Sequence, residues 1–186
     1  APVFRNVYEA SGSWTPVGWK LLTGKDMAAG EFTFRVTEEV DGKTVEVSTG
    51  TAAAAKDGER AAITFTPIQY RLGLDETGQG NWDAVLGAHT YTITEVQGTA
   101  AGVDYDEAFF TVTVTDTDKG DGTLAADPVY PQGGVLFENR YNPLPTEFEP
   151  QVRKTLTGLP QGESPEGKKF SFTLAADAAN PAGAQL

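Results

Sequence analysis

Three residues occupy places where a half-buried strand should carry an apolar side chain. In the alternating run Tyr91, Ile93, Glu95 a carboxylate takes the inward position, and in Phe137, Asn139, Tyr141 a carboxamide does. Lys20 shares its face with Leu22, so an amine points inward as well. Burying any one of these groups unpaired would cost several kcal/mol. Three such departures, on the first, a middle and the last strand, point to one shared site. A lysine desolvated among aromatics is held neutral and nucleophilic, and a desolvated carboxylic acid keeps its proton. A neutral amine beside an asparagine carboxamide, with a protonated acid bonded to both, is set up for acyl transfer. The acid is expected to polarise the carbonyl and to pass a proton from the amine to departing ammonia. Fixed proximity replaces an activating cofactor, because well-aligned groups reach effective molarities of about 10⁵ M or more. The expected product is a Lys20–Asn139 isopeptide bond made once per molecule, with Glu95 as proton shuttle. That is self-processing without turnover, so no enzyme and no cofactor are expected. Strand parity alone leaves a plainer reading open: a solvated lysine, an edge-strand glutamate and a turn-capping asparagine.

The elements that must position these residues follow a period of two. Phe32-Thr33-Phe34-Arg35-Val36, Ile63-Thr64-Phe65, Tyr91-Thr92-Ile93-Thr94 and Phe110-Thr111-Val112-Thr113-Val114-Thr115 all alternate. Threonine on one face and Val, Ile, Phe or Tyr on the other mark half-buried antiparallel strands. Asp41-Gly42 predicts a two-residue hairpin, and turn clusters fall at 24–30, 73–80 and 116–122. Only Ala52–Lys56 and Trp82–Leu86 suggest helix, a turn or two each. The pattern predicts an all-β, immunoglobulin-like antiparallel β-sandwich.

Composition excludes several functions. The 186 residues carry 14 basic and 26 acidic side chains, a net charge of −12, with no cysteine and one histidine. An acidic chain is a poor reader of nucleic acid, so no such partner is expected. Without cysteine there is no disulfide, thiolate metal site, cysteine nucleophile or thioester. No metal site is expected, because Asp116-x-Asp118-x-Gly120-Asp121-Gly122 departs from the EF-hand pattern and reads as an acidic turn. His89 reads as a loop or strand-edge residue. No apolar run approaches the roughly 18 residues needed to cross a bilayer, and no membrane contact is expected. The sequence opens on Ala1 without an initiator methionine or signal peptide and reads as a piece of something longer.

Self-similarity divides the chain. Val3-Phe4-Arg5-Asn6-Val7-Tyr8 matches Leu136-Phe137-Glu138-Asn139-Arg140-Tyr141, an offset of 136 − 3 = 133. Lys20-Leu21-Leu22-Thr23-Gly24 matches Lys154-Thr155-Leu156-Thr157-Gly158 at 154 − 20 = 134, and Phe32-Thr33-Phe34 matches Phe170-Ser171-Phe172 at 170 − 32 = 138. The expected organisation is a tandem array with partial flanking repeats. Residues 1–13 are the last strand and linker of a preceding repeat, 14–143 a complete module, and 144–186 a linker and the first strands of a truncated repeat. Pro143-Leu144-Pro145 reads as a stiff linker. Lys154 lacks its own acid and amide partners and should stay a free amine, and an isolated 146–186 hairpin should pack poorly.

At this point a resemblance adds to the reading. The Lys-x-Leu-Thr-Gly strand, Gly30-Glu31-Phe32-Thr33-Phe34, Ile63-Thr64-Phe65-x-Pro67-Ile68-x-Tyr70, Tyr91-Thr92-Ile93-Thr94-Glu95-Val96, Tyr105-Asp106 and Phe137-x-Asn139-x-Tyr141 resemble the isopeptide-linkage domain of Gram-positive shaft pilins and repetitive surface adhesins. The resemblance spans about Trp19 to Tyr141. It implies an immunoglobulin-like sandwich in which Lys20 bonds to Asn139 with help from Glu95. It also implies an extracellular location on the bacterial cell surface, wall anchorage through regions outside this chain, and neighbouring tandem modules as partners. The sequence departs from the family where polymerisation is concerned. Leu144-Pro145-Thr146-Glu147 is not a sortase signal, and Gln132 in Val129-Tyr130-Pro131-Gln132 stands where the polymerising lysine should be. A stalk module of a multidomain surface protein therefore fits better than a self-polymerising shaft subunit. The alternative is an adhesin module that recognises a host glycan or protein through the 72–88 insertion, with Trp82 as ligand contact.

Overall fold

The computed structural model describes residues 4, 6–74, 78–143, 149–164 and 166–175. The chain divides into two compact units, Ala1–Pro145 and Thr146–Leu186. The first unit is built almost wholly of strands: β1 (Ala10–Trp14), β2 (Trp19–Thr23), β3 (Thr33–Val40), β4 (Lys43–Ala52), β5 (Arg60–Phe65), β6 (Ile68–Leu72), β7 (Gly87–Glu95), β8 (Val103–Asp104), β9 (Phe109–Asp118), β10 (Leu124–Val129) and β11 (Leu136–Tyr141). One short helix, α1 (Trp82–Val85), precedes β7. Burial alternates as the threonine pattern requires, and Val36, Ile93, Val112, Val114 and Phe137 are fully buried. The β3–β4 hairpin turns at Asp41 and Gly42, both with positive φ (51° and 72°), which matches the right-handed twist of the strands it joins.

Nine strands form one sheet in the order β10-β9-β7-β3-β4-β5-β2-β11-β8. The sheet curls on itself at β5, whose first half pairs with β2 and whose second half pairs with β4. Curling brings distant strands face to face. Although β4, β5 and β2 separate β3 from β11, the ring of Phe34 lies 5.1 Å from that of Phe137, and Phe110 on β9 lies 4.9 Å from it edge-on. The architecture is thus all-β and roughly sandwich-like, with a mixed sheet. The departure from a purely antiparallel sheet is β2 against β11, which run parallel with Lys20 opposite Phe137 and Asn139 opposite Leu22. A parallel pair needs a long crossover, and here the rest of the sandwich supplies it.

Other expectations change for identifiable reasons. β1 takes in residues 10–13, which the repeat arithmetic assigns to a preceding module. Here β1 pairs with β6 in a separate two-stranded sheet and sets Trp14 against Tyr91, ring centres 5.2 Å apart. Ala52–Lys56 is not helical. Neighbouring segments take its backbone groups, with Ala53 N–H donating to Ala62 C=O on β5 and Ala55 forming an isolated bridge with Met27. Asp116 belongs to β9 rather than to the following turn, and faces the core. Beyond it Asp118 accepts from Gly120 N–H and Asp121 from Thr123 N–H, so this acidic turn is closed by its own hydrogen bonds.

In the second unit the described residues contain no strand. Lys154 is exposed and stands 5.3 Å over the ring of Phe170. From Leu144 to Phe148 the chain lies outside the described residues, and with it most of the expected linker and Leu144-Pro145-Thr146-Glu147.

Candidate functional site

Lys20, Glu95 and Asn139 come together between the facing surfaces of the curled sheet. Lys20 projects inward from β2, Asn139 from β11 and Glu95 from the end of β7, and all three are buried. One carboxyl group bridges the other two side chains: Glu95 Oε2 lies 2.6 Å from Lys20 Nζ, and Oε1 accepts from Asn139 Nδ2 at 2.6 Å. The ring of Phe32 covers the amine at 4.8 Å. Phe34 and Phe110 pack on Phe137, which stands in register beside Lys20, and keep water from the cluster.

Burial shifts both ionisable groups toward their uncharged forms. It lowers the Lys20 pKa, against the attraction of Glu95, and raises that of Glu95, against the bonds from Lys20 and Asn139. Both shifts favour the uncharged pair, a nucleophilic amine beside a protonated acid. Glu95 touches the two nitrogens, Lys20 Nζ and Asn139 Nδ2, and not the Asn139 carbonyl oxygen that the sequence reading expects the acid to polarise. That oxygen accepts instead from the backbone N–H of Asp106 at 2.7 Å. With a donor at Oδ1 and an acceptor at Nδ2, the orientation of the Asn139 carboxamide is fixed by its partners.

A second polar cluster lies at the other end of the same inward row of β7, beyond Ile93 and Tyr91. His89 Nδ1 lies 2.7 Å from Glu38 Oε1, and Nε2 lies 3.0 Å from the carbonyl oxygen of Val85 at the end of α1. Both ring nitrogens face acceptors, an arrangement that favours the doubly protonated ring. Burial opposes the charge, yet Glu38 and the Val85 carbonyl prevail and the His89 pKa is raised. We expect ¹⁵N shifts of His89 to show a doubly protonated ring near neutral pH and a midpoint above the ordinary 6.5. A neutral single tautomer at pH 6.5 would contradict this pairing. Asp116 lies 3.8 Å from His89 Nε2, is 1% exposed, and has no hydrogen-bond partner on either carboxyl oxygen. Burial pushes its pKa up to about 6; His89 opposes the shift while Glu38 and Asp127 add to it. The Tyr70 and Tyr91 hydroxyls bond to each other at 2.9 Å beside this group. His89, expected at a loop or strand edge, and Asp116, expected in a turn, therefore both face inward. The signal was available, since each shares parity with buried apolar neighbours on its own strand.

Trp82 stands on α1, half-exposed, with its indole stacked on the Tyr8 ring at 6.4 Å. It lines an open cleft of about 310 Å³ with Asn6, Val7, Tyr8, Leu74 and Gly78. Among the described residues no group of three or more His, Cys, Asp or Glu side chains could hold a metal ion, and no helix is long and apolar enough to cross a membrane.

The geometry can be set beside known proteins. No curated protein matches the chain. Among solved structures it is similar to the major pilin protein T-13 of Streptococcus pyogenes, at 18% identity and a TM-score of 0.41, covering 72% of this chain and 53% of that one. The major pilin T3.2 of the same organism matches at 18% identity and a TM-score of 0.39, over 68% of this chain and 52% of its own. The chain thus spans about half the length of the pilins it matches. A family model described as FctA, Spy0128-like isopeptide containing domain, matches residues 17–142, a span that runs from just before Lys20 to just past Asn139. The chain belongs to the FctA family of Spy0128-like isopeptide containing domains.

Proposed function

We propose that residues 14–143 form a stalk module of a bacterial surface or pilus-like protein, closed by an autocatalytic Lys20–Asn139 isopeptide bond. The observation that carries this reading is the single Glu95 carboxyl bridging the nucleophilic and the leaving nitrogen at 2.6 Å each, away from solvent. Neutral Nζ attacks Cγ of Asn139 and the Nζ–Cγ bond forms. Glu95 takes a proton from Nζ and gives its own to Nδ2. The Cγ–Nδ2 bond then breaks, one ammonia leaves, and the acid is restored. Atoms and charge balance without any other reactant.

The bond would join β2 to β11, the parallel strands that lie beside each other. In an array of repeats, tension enters a module near these two strands. A covalent link there carries load past the sandwich, and an amide survives reducing conditions that would open a disulfide. Flanking repeats of the same polypeptide are the partners in this reading. An extracellular location with wall attachment through regions outside these residues accompanies it. Intact mass tests the chemistry: the folded chain should weigh one ammonia less than its sequence, and a protease digest should give a branched Lys20–Asn139 peptide. A chain at full sequence mass after folding sinks the proposal.

A further inference from the structure

We propose that the backbone N–H of Asp106 is the oxyanion donor of this condensation, held in place by Gln97. The inference rests on the bond-forming reading above. Attack on Cγ drives charge onto Asn139 Oδ1, and that oxygen needs a donor already in place when the charge develops. Glu95 cannot supply it, because its two oxygens are taken by Lys20 Nζ and Asn139 Nδ2. The Asp106 N–H points at Oδ1 from 2.7 Å.

Three further bonds fix this residue. Its Oδ2 accepts from Glu138 N–H at 2.7 Å and its Oδ1 from Ala108 N–H at 2.8 Å. Its carbonyl oxygen accepts from Gln97 Nε2 at 2.7 Å. Gln97 lies two residues beyond Glu95, and Glu138 is next to Asn139. Asp106 therefore ties the end of the acid-bearing strand to the amide-bearing strand, and its N–H has little freedom to turn away. β8, just upstream, pairs with Arg140 and Tyr141 of β11 and sets the height of the segment. The negative charge of the Asp106 carboxylate acts on both partners, disfavouring ionisation of Glu95 while favouring the charged form of Lys20, so its contribution to the site is the placement of its N–H. The labour is divided: Glu95 moves protons between nitrogens, the Asp106 amide holds the oxygen, and Gln97 positions that amide.

The test uses the full chain, recovered unfolded and unreacted and then refolded by dilution. Ammonia loss is followed by intact mass and folding by tryptophan fluorescence. A semisynthetic chain in which an ester oxygen replaces only the Asp106 N–H should fold at the wild-type rate and condense about 10²-fold more slowly. Gln97→Leu should slow condensation about tenfold while leaving the thermal midpoint of an unreactive Lys20→Met background unchanged. An ester chain that folds and condenses within about threefold of wild type overturns the assignment and leaves the isopeptide reading intact. A wild-type chain that folds without losing ammonia overturns both. Should the ester chain not fold, the Asp106 amide of folded Lys20→Met decides. Slow hydrogen exchange and a downfield proton shift support the role, and exchange as fast as at exposed Glu107 removes it.

Discussion

Changing Glu95 to glutamine is expected to leave the chain at its full sequence mass and to lower its thermal midpoint by roughly 10–20 °C. Glutamine keeps the shape of the side chain and can still bond to Asn139, but it has no proton to exchange between Nζ and Nδ2. Lys20 and Asn139 then remain separate. The closed loop that wild type would gain spans 139 − 20 = 119 residues. By analogy with a disulfide of that span, its closure stabilises by about 5 kcal/mol. Glu95→Gln also leaves a buried amine without its acid, which adds to the loss. Lys20→Met separates the two effects, since it removes both the bond and the amine. The cross-link accounts for the stability if Lys20→Met falls by a similar amount, measured by calorimetry alongside intact mass. A midpoint for Lys20→Met within a few degrees of wild type would show that closure adds little.

The second large effect concerns Asp116. Its folded pKa of about 6 lies above the ordinary 3.8, so between those values the folded state holds a proton that the unfolded state has lost. Stability therefore falls as pH rises through 6. Above that the buried carboxylate destabilises the fold by about 2–3 kcal/mol, the linkage cost of a folded value of about 6 against the ordinary 3.8. His89 acts in the same direction. A raised histidine pKa stabilises below 6.5, and that contribution is lost as pH rises through the folded value. The module should consequently resist urea better at pH 5 than at pH 8. Asp116→Asn should be more stable than wild type at pH 8 by about 2 kcal/mol and should flatten the profile between pH 4 and 7. Urea melts across that range check both points. A variant less stable than wild type at pH 8 would mean that the ionised carboxylate is a net stabiliser through His89.

Much of the fold was legible because half-buried strands repeat every two residues, and a polar side chain on the buried parity stands out. Lys20, Glu95 and Asn139 stand out by that break in pattern, and the structure brings Lys20 and Asn139 within hydrogen-bonding reach of Glu95. Asp116 and His89 break the same rule but were masked by their surroundings. The first sits among turn-forming acids and glycines, and the second at the end of a strand where parity is hard to extend. The role of Asp106 was not legible at all. Its donor is a main-chain N–H, which every residue but proline carries, so only the fold distinguishes it. The parallel β2–β11 pairing and the β1–β6 sheet depend on how the curled sheet closes, a long-range property that local periodicity does not contain. The alanines at 52–56 suggest helix but do not form one, because helix propensity is a weak preference, overridden here by backbone bonds to Ala62 and Met27.

The parallel pairing of β2 with β11 also sets an order in time. Lys20 lies beside Phe137, a neighbour from the far end of the module, so this is the strand pairing of greatest sequence separation among the described residues. Pairings of such separation form late, after the local hairpins that lie between them. Glu95 and Asp106 reach the pair only when their own strands are in register. A chain cut short before Asn139, or folded with one strand slipped by a residue, has no route to release ammonia. Under the proposed chemistry, one lost ammonia would mark a chain in which all of these strands had reached register.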